Sequence, residues 1–130
     1  MKKRYILVVE DNKFQTKIFN EIINDINFKA ISLSSGADFI NFVKDDKNIL
    51  NTNKEEIALV LLDFYLEDMN AIQILKELKK LNNQIPIAIL SADSDIDNIV
   101  ETIKLGADKF FIKGQKEELK KLFTYIDNLK

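Results

Sequence analysis

The chain has 130 residues, 46% hydrophobic and 31% charged, which suits one ordinary domain with its own core. Its net charge of −2 and its pI of about 5.2 argue against nucleic-acid binding, which needs a basic surface. The chain has no cysteine and no histidine, so disulfides, thiolate chemistry and imidazole catalysis are excluded. Any metal site must use oxygen ligands, which indicates Mg²⁺, Ca²⁺ or Mn²⁺ rather than zinc.

The chain starts with the basic segment MKKR, in which two lysines and an arginine follow the methionine, and an apolar run at residues 5–9 comes next. Glu10 and Asp11 end this run, so it is too short for an export signal or a membrane-spanning helix. We therefore expect a cytoplasmic protein.

Short apolar runs alternate with amphipathic segments along the chain. A continuous run such as YILVV at 5–9 is typical of a strand buried on both faces, whereas apolar residues spaced by three or four indicate a helix. In chain order, the predicted elements are a strand at 5–9, a helix from residue 14, a strand at 28–33, a helix at 36–43, a loop at 45–56, a strand at 57–62, a helix at 70–81, a strand at 85–90, a helix at 94–105, a strand at 110–112 and a helix at 116–129.

Two of these helices carry more detailed signals. The fourth begins near Ser94, which could form a capping box with Asp97, and Gly106 suits its C-terminal cap. The first has apolar residues four apart, which predicts that they share one face. These residues are Phe14, Ile18, Ile22 and Ile26.

Five β/α units in series predict an α/β protein with a parallel sheet and helices on both faces. Right-handed crossovers leave few possible topologies. We find no internal repeat, no low-complexity tract and no second domain, so residues 1–130 are interpreted as one domain.

Polar side chains with complementary chemistry follow four of the predicted strands. Because ligands of open α/β sheets bind beyond the C-terminal strand ends, we expect these side chains at one rim. Carboxylates meeting there would repel each other without a hard cation, and a lysine and a hydroxyl suit phosphoryl oxygens. The set therefore indicates phosphoryl transfer. In chain order these residues are Glu10, Asp11, Asn12, Asp63, Ser91 and Lys113.

Each side chain also has a structural interpretation when it is taken alone. Asp11 or Asn12 could cap the first helix, Ser91 could be a turn hydroxyl, and Lys113 could be a solvated surface lysine. A flavodoxin-like or dinucleotide-binding enzyme is an alternative on the same architecture. Such an enzyme needs a Gly-rich or Ser/Thr-rich loop after the first strand, where this chain has the sequence EDNK at 10–13.

At these positions the chain resembles the receiver domains of bacterial two-component response regulators. The resemblance covers nearly the whole chain and implies one receiver domain over residues 1–130. It implies a flavodoxin-like (βα)5 fold, which is a doubly wound parallel sheet with strand order 2-1-3-4-5. The matching segments are ILVVEDN at 6–12, VLLDFYL at 60–66, IPIAILSA at 85–92 and GADKFFIK at 106–113.

The resemblance implies a role for each residue of the rim. Asp63 matches the phosphoacceptor, which takes a phosphoryl group from the phosphohistidine of a histidine kinase. Glu10 and Asp11 match the acid pair that binds Mg²⁺ together with Asp63, and the backbone carbonyl of Tyr65 matches a further ligand. Lys113 matches the lysine that pairs with the phosphoryl group.

The resemblance also implies a conformational switch and a set of partners. Ser91 matches the hydroxyl that bonds the phosphoryl group, and Phe110 matches the aromatic residue that turns inward when that hydroxyl moves. The implied partners are a histidine kinase or phosphotransfer protein and a downstream protein or fused output domain, with no nucleic acid and no membrane. A monomer or a phosphorylation-linked dimer is expected, and the domain would catalyse only its own phosphorylation and dephosphorylation.

An alternative within the same family is a degenerate receiver that acts as a phosphorylation-independent interaction module, and the intact residues at the rim argue against it. Several positions depart from the family pattern: Glu67 and Gly114 replace frequent prolines, and Ala71 replaces a frequent glycine. Ser91 stands where threonine is commoner, and Phe110 lacks the hydroxyl of a tyrosine. Since a cis Lys113–Gly114 bond would cost about 2.5–4 kcal/mol, we predict a trans bond with an unusual backbone conformation at Gly114.

Overall fold

The computed structural model describes residues 3–44 and 54–130. Five parallel strands form one sheet in the order β2-β1-β3-β4-β5, which confirms the predicted α/β fold and strand order. The strands are β1 (Tyr5–Val9), β2 (Lys29–Leu33), β3 (Ile57–Asp63), β4 (Ile87–Ser91) and β5 (Lys109–Ile112). The helices are α1 (Lys13–Asp25), α2 (Gly36–Lys44), α3 (Ala71–Lys80), α4 (Ile96–Lys104) and α5 (Lys116–Asp127), with a 3₁₀ turn at Lys54–Glu56.

Helices cover both faces of the sheet, and the central strands are apolar except at their carboxyl ends, where β3 has Asp63 and β4 has Ser91. On one face, Phe19 and Ile23 of α1 and Leu122 and Ile126 of α5 pack against the sheet. On the other face, α2, α3 and the residues after α4 form a second core cluster. All residues of β3 are buried because this strand lies at the centre of the sheet between the two clusters.

The register of the sheet brings the carboxyl ends of its strands to one level. Asp63 of β3 pairs with Leu90 of β4, and Ser91 pairs with Ile112 of β5. The Lys113 N–H then extends the ladder by donating to the Ser91 carbonyl at 2.7 Å. The polar residues that follow these strands therefore start from neighbouring positions along one rim.

The apolar row of α1 that was identified from the sequence begins on the exposed side of the helix. Phe14 and Ile18 are 72% and 40% exposed, whereas Phe19 and Ile23 are buried. Helix α1 carries two apolar rows with the same spacing of four, and its buried residues, Phe19 and Ile23, belong to the second row. The spacing by itself does not distinguish the two rows.

The predicted N-cap of the fourth helix is wrong by one residue. Asp95 caps α4, and its side chain accepts hydrogen bonds from the Asp97 and Asn98 amides, so Ser94 lies outside the helix. A carboxylate is favoured there because it also interacts with the positive end of the helix dipole. The predicted role of Gly106 is confirmed, since it follows the last turn with a φ of +107°.

The predicted loop at 45–56 falls mostly on residues 45–53, which lie outside the described residues, and its last three residues form the 3₁₀ turn. Within the described ranges, no helix is long and apolar enough to cross a membrane.

Replacing Phe19 and Phe14 separately by alanine tests which face of α1 is buried. Phe19→Ala should lower the free energy of unfolding by about 3–5 kcal/mol, because it removes a buried ring and leaves a cavity. Phe14→Ala should change it by less than about 0.5 kcal/mol, because the ring is mostly exposed. Urea unfolding of both variants measures the difference, and equal losses would show that the assignment is wrong.

Candidate metal centre at the carboxyl edge of the sheet

Three carboxylates converge where β1 and β3 end. Glu10, Asp11 and Asp63 each present an oxygen, and these oxygens lie within 4.8 Å of one another. Glu10 and Asp63 are buried, with exposed fractions of 5% and 7%. The predicted acidic cluster is therefore present, and its ligands are the hard oxygens that a divalent cation such as Mg²⁺ prefers.

The ammonium of Lys113 is the counter-ion of this cluster. Its Nζ lies 2.9 Å from Glu10 Oε2 and 3.0 Å from Asp63 Oδ1. It also donates to Gln15 Oε1 at 2.7 Å. Lys113 is therefore bound within the site and is not a solvated surface lysine.

The charges of these four groups do not balance. Three carboxylates and one ammonium leave two negative charges uncompensated when all of them are ionised. Burial raises the pKa of Asp63 to about 7, with a further contribution from Glu10, although Lys113 acts in the opposite direction. A divalent cation would supply the missing positive charge, so the donor set and its charge both fit Mg²⁺.

Backbone amides orient the two acidic residues that follow β1. The Asn12 N–H donates to Glu10 Oε1 at 3.1 Å, and the Glu67 N–H donates to Asp11 Oδ2 at 2.7 Å. Asn12 itself caps α1, because its side chain accepts from the Gln15 N–H at 3.0 Å. The cap interpretation is thus correct for Asn12, while Asp11 belongs to the acidic cluster.

Ser91 is almost fully buried at the end of β4, where its hydroxyl oxygen accepts the Asp93 N–H at 3.1 Å. The Asp93 carboxylate in turn accepts from the Tyr65 hydroxyl at 3.0 Å, and Asn98 of α4 donates to the same hydroxyl at 3.4 Å. The hydrogen bond to Asp93 is the main reason that the pKa of Tyr65 is raised. A polar chain therefore links the loop after β3 to the first turn of α4.

The aromatic residues near the rim form a second connection between strands. Phe110 is half-buried on β5, and its ring centroid lies 6.5 Å from that of Phe64. Phe64 meets Tyr65 edge-on at 4.6 Å. The ring of Phe110 therefore already packs partly against the core.

The predicted backbone at the end of β5 is observed. The Lys113–Gly114 peptide bond is trans, and Gly114 has a φ of +80°, in the region that favours glycine. The chain turns there while Lys113 stays directed at the acidic cluster.

Several partners of the site were not predicted from the sequence. Gln15 stands three residues after the cap residue Asn12, a spacing that could have indicated a side chain in the first turn of α1. The Glu67 amide and the Asp93 carboxylate belong to loops, where spacing gives no comparable signal.

Comparisons with known proteins agree with this geometry. The chain matches the response regulator receiver domain over residues 6–124. It is 30% identical over 113 residues to sporulation initiation phosphotransferase F of Bacillus subtilis, which covers 87% of this chain and 84% of that protein. It is 28% identical over 113 residues to the response regulator protein TodT of Pseudomonas putida, but spans only 46% of that relative's length. The Mn²⁺-bound form of response regulator Rcp1 has the same fold, with a TM-score of 0.74 and 24% identity over 97% of this chain and 91% of that chain.

The raised pKa of Asp63 predicts how metal-free stability changes with pH. Because the folded state binds the Asp63 proton more tightly than the unfolded state does, the free energy of unfolding should fall as pH rises from about 4 through 7. Asp63→Asn should remove this contribution, so that the variant is more stable than the parent at pH 8 in EDTA. Urea unfolding at several pH values measures the slopes.

Asp25→Asn, which removes an exposed carboxylate at the end of α1, is the control and should keep the parental slope. Equal slopes for Asp63→Asn and the parent would contradict the assignment.

Proposed function

This chain belongs to the response regulator receiver domain family, and from that premise we propose that Asp63 accepts a phosphoryl group in an Mg²⁺-dependent reaction. The observation that carries the proposal is the contact between the buried Asp63 carboxylate and the Lys113 ammonium, 3.0 Å apart beside Glu10 and Asp11. These groups supply a nucleophile, a charge clamp and metal ligands at one position, which is what phosphoryl transfer requires.

The donor is a phosphohistidine on a kinase or a phosphotransfer protein. An oxygen of Asp63 forms the new P–O bond while the P–N bond breaks, and the electron pair leaves with the donor's imidazole. Lys113 neutralises charge on the phosphoryl oxygens in the transition state. Since Lys113 also contacts Glu10 and Gln15, its ammonium is held in place before the donor arrives.

Glu10, Asp11 and Asp63 would hold the cation, with the backbone carbonyl of Tyr65 as a fourth protein ligand. Bound Mg²⁺ neutralises the negative charge that gathers when a phosphoryl group approaches carboxylates. The Mn²⁺-bound form of Rcp1, a protein with the same fold, supports a divalent cation in this family. Glu10 and Asp63 are buried, so their negative charges have little hydration of their own and favour a bound cation.

Ser91 and Phe110 are the proposed switch. The Ser91 hydroxyl donates to a phosphoryl oxygen on Asp63, and this movement breaks its present bond with the Asp93 amide. The loop that leads to α4 is then released, and Phe110 moves further into the space beside Phe64. Phosphorylation is thereby converted into a change of the surface around α4 and β5.

The domain thus acts as a cytoplasmic signalling module and catalyses only its own phosphorylation and dephosphorylation. Its downstream partner is a separate protein or a fused output domain, since TodT is about twice as long as the matched region. A change between monomer and dimer on phosphorylation is one way to transmit the signal.

Asp63 should be the single site of phosphorylation by acetyl phosphate in the presence of Mg²⁺. Asp63→Asn should abolish incorporation because the nucleophilic carboxylate is lost, while Asp25→Asn should label like the parent. Intact-protein mass spectrometry measures incorporation, and reduction with borohydride followed by peptide mapping locates the acyl phosphate. Labelling of Asp63→Asn at the parental level, or no labelling of the parent, would refute the proposed function and favour a phosphorylation-independent interaction module.

Mg²⁺ affinity should respond in opposite directions to two substitutions. Asp11→Ala should weaken binding at least about 10-fold because a ligand is lost. Lys113→Met should tighten binding because it removes the positive charge that competes with the cation for Glu10 and Asp63. Isothermal titration with MgCl₂ measures both, with the exposed Lys120→Met as the control. Weaker Mg²⁺ binding in Lys113→Met would show that the cation does not occupy this cluster.

A further inference from the structure

The segment between β3 and α3, residues 64–70, is tied to two distant parts of the chain, and we call it the 64–70 loop. Its Glu67 N–H donates to Asp11 Oδ2 at 2.7 Å. Its Asp68 carboxylate accepts from the Gly36 N–H at 3.0 Å through Oδ1 and from the Ala37 N–H at 2.8 Å through Oδ2. One end of this connection is a residue of the acidic cluster, and the other is the first turn of α2.

The two hydrogen bonds of the Asp68 carboxylate attach the 64–70 loop to the first turn of α2. Both carboxylate oxygens accept backbone amides at the positive end of the α2 dipole. Burial acts to raise the pKa of Asp68, but hydrogen bonds from backbone amides, with those of Ala37 and Gly36 the largest, together outweigh it. The pKa is therefore lowered, and the carboxylate is charged at neutral pH. The bond to α2 is therefore charge-assisted under ordinary conditions.

Packing also places the loop in close contact with the start of α2. A Cβ at Gly36 would overlap Met69 Cγ and would lie 2.7 Å from its Sδ, so the Met69 side chain sits directly on the glycine. Within the loop, the Leu66 N–H donates to the Met69 carbonyl at 3.2 Å, and the Ala71 N–H donates to the Phe64 carbonyl at 2.8 Å. The Glu67 amide therefore has a defined position relative to α2.

We propose that Asp68 is a positioning residue for the metal centre: it anchors the 64–70 loop to the start of α2, so that the Glu67 amide fixes the Asp11 carboxylate in the orientation that binds a cation. This inference rests on the proposed function, because it assigns Mg²⁺ to the acidic cluster. The Glu67 amide uses Oδ2 of Asp11, so Oδ1 of the same carboxylate can serve the cation. A hydrogen bond from outside the ligand set typically changes metal affinity by about 10–100-fold.

The alternative is that Asp68 only stabilises α2. The chain offers a matched control, because Ser35 Oγ accepts the Asp38 N–H at 3.0 Å at the same end of α2. Among the described residues, the Ser35 side chain forms no hydrogen bond with the 64–70 loop. Ser35→Ala and Asp68→Ala both remove a cap of α2, but only Asp68→Ala releases the loop. Glu67→Pro tests the other end of the connection, since proline has no N–H to give to Asp11.

The experiment is an isothermal titration with MgCl₂ of the parent, Asp68→Ala, Glu67→Pro, Ser35→Ala, Asp11→Ala and the Asp11→Ala/Asp68→Ala double variant. Circular dichroism and urea unfolding establish that each variant is folded. We expect Asp68→Ala and Glu67→Pro to weaken Mg²⁺ binding about 10-fold and Ser35→Ala to leave it unchanged. In the Asp11→Ala background, adding Asp68→Ala should have no further effect on affinity, because Asp68 acts through Asp11.

Asp68→Asn should restore part of the affinity, since its amide keeps one oxygen acceptor for the first turn of α2. The inference is wrong if Asp68→Ala lowers the unfolding midpoint but leaves Mg²⁺ affinity within twofold of the parent. It is also wrong if Ser35→Ala weakens binding equally, or if the Asp68 effect persists without Asp11. If Asp11→Ala binds Mg²⁺ like the parent, the metal site of the proposed function fails, and this inference fails with it.

Discussion

The position of the Lys113 ammonium among Glu10, Asp63 and Gln15 is the contact on which the rest of the site depends. Two buried carboxylates at the end of a hydrophobic sheet would repel each other and lose hydration, and a single cation at about 3 Å from both offsets much of that cost. The remaining negative charge makes the same place receptive to a divalent ion. The arrangement of these groups leaves negative charge uncompensated, as the proposed binding of a divalent cation requires.

The pairing of the parallel strands is what places these side chains next to one another. Because Asp63, Ser91 and Lys113 stand at or just beyond the ends of neighbouring strands in register, ordinary ladder hydrogen bonds bring them together. Loops then make the finer adjustments through backbone amides, as Asn12 does for Glu10 and Glu67 does for Asp11. Strand pairing explains the coarse assembly of the site, and loop amides explain the orientation of its carboxylates.

The comparison of prediction and structure follows the same division. Strand runs such as 57–62 and the polar residue after each run are visible in the sequence, so the sheet and the acidic cluster could be predicted. The strand order was predicted from the resemblance to receiver domains. The buried row of α1 could not be predicted, because Phe14 and Phe19 belong to rows with equal spacing and only tertiary packing chooses between them. The helix cap at Asp95 and the loop amide of Glu67 also depend on local backbone geometry, which residue types alone do not determine.

The contact between Gly36 and Met69 has a consequence for how this family member can evolve. A methyl group at position 36 has no space while Met69 covers it, and a smaller residue at position 69 would leave a gap over the start of α2. Neither position can therefore change freely on its own. A larger residue at position 36 should be accompanied by a smaller residue at position 69. The 64–70 loop and the first turn of α2 would then diverge together between lineages, as one inherited unit formed by two segments that are far apart in the gene.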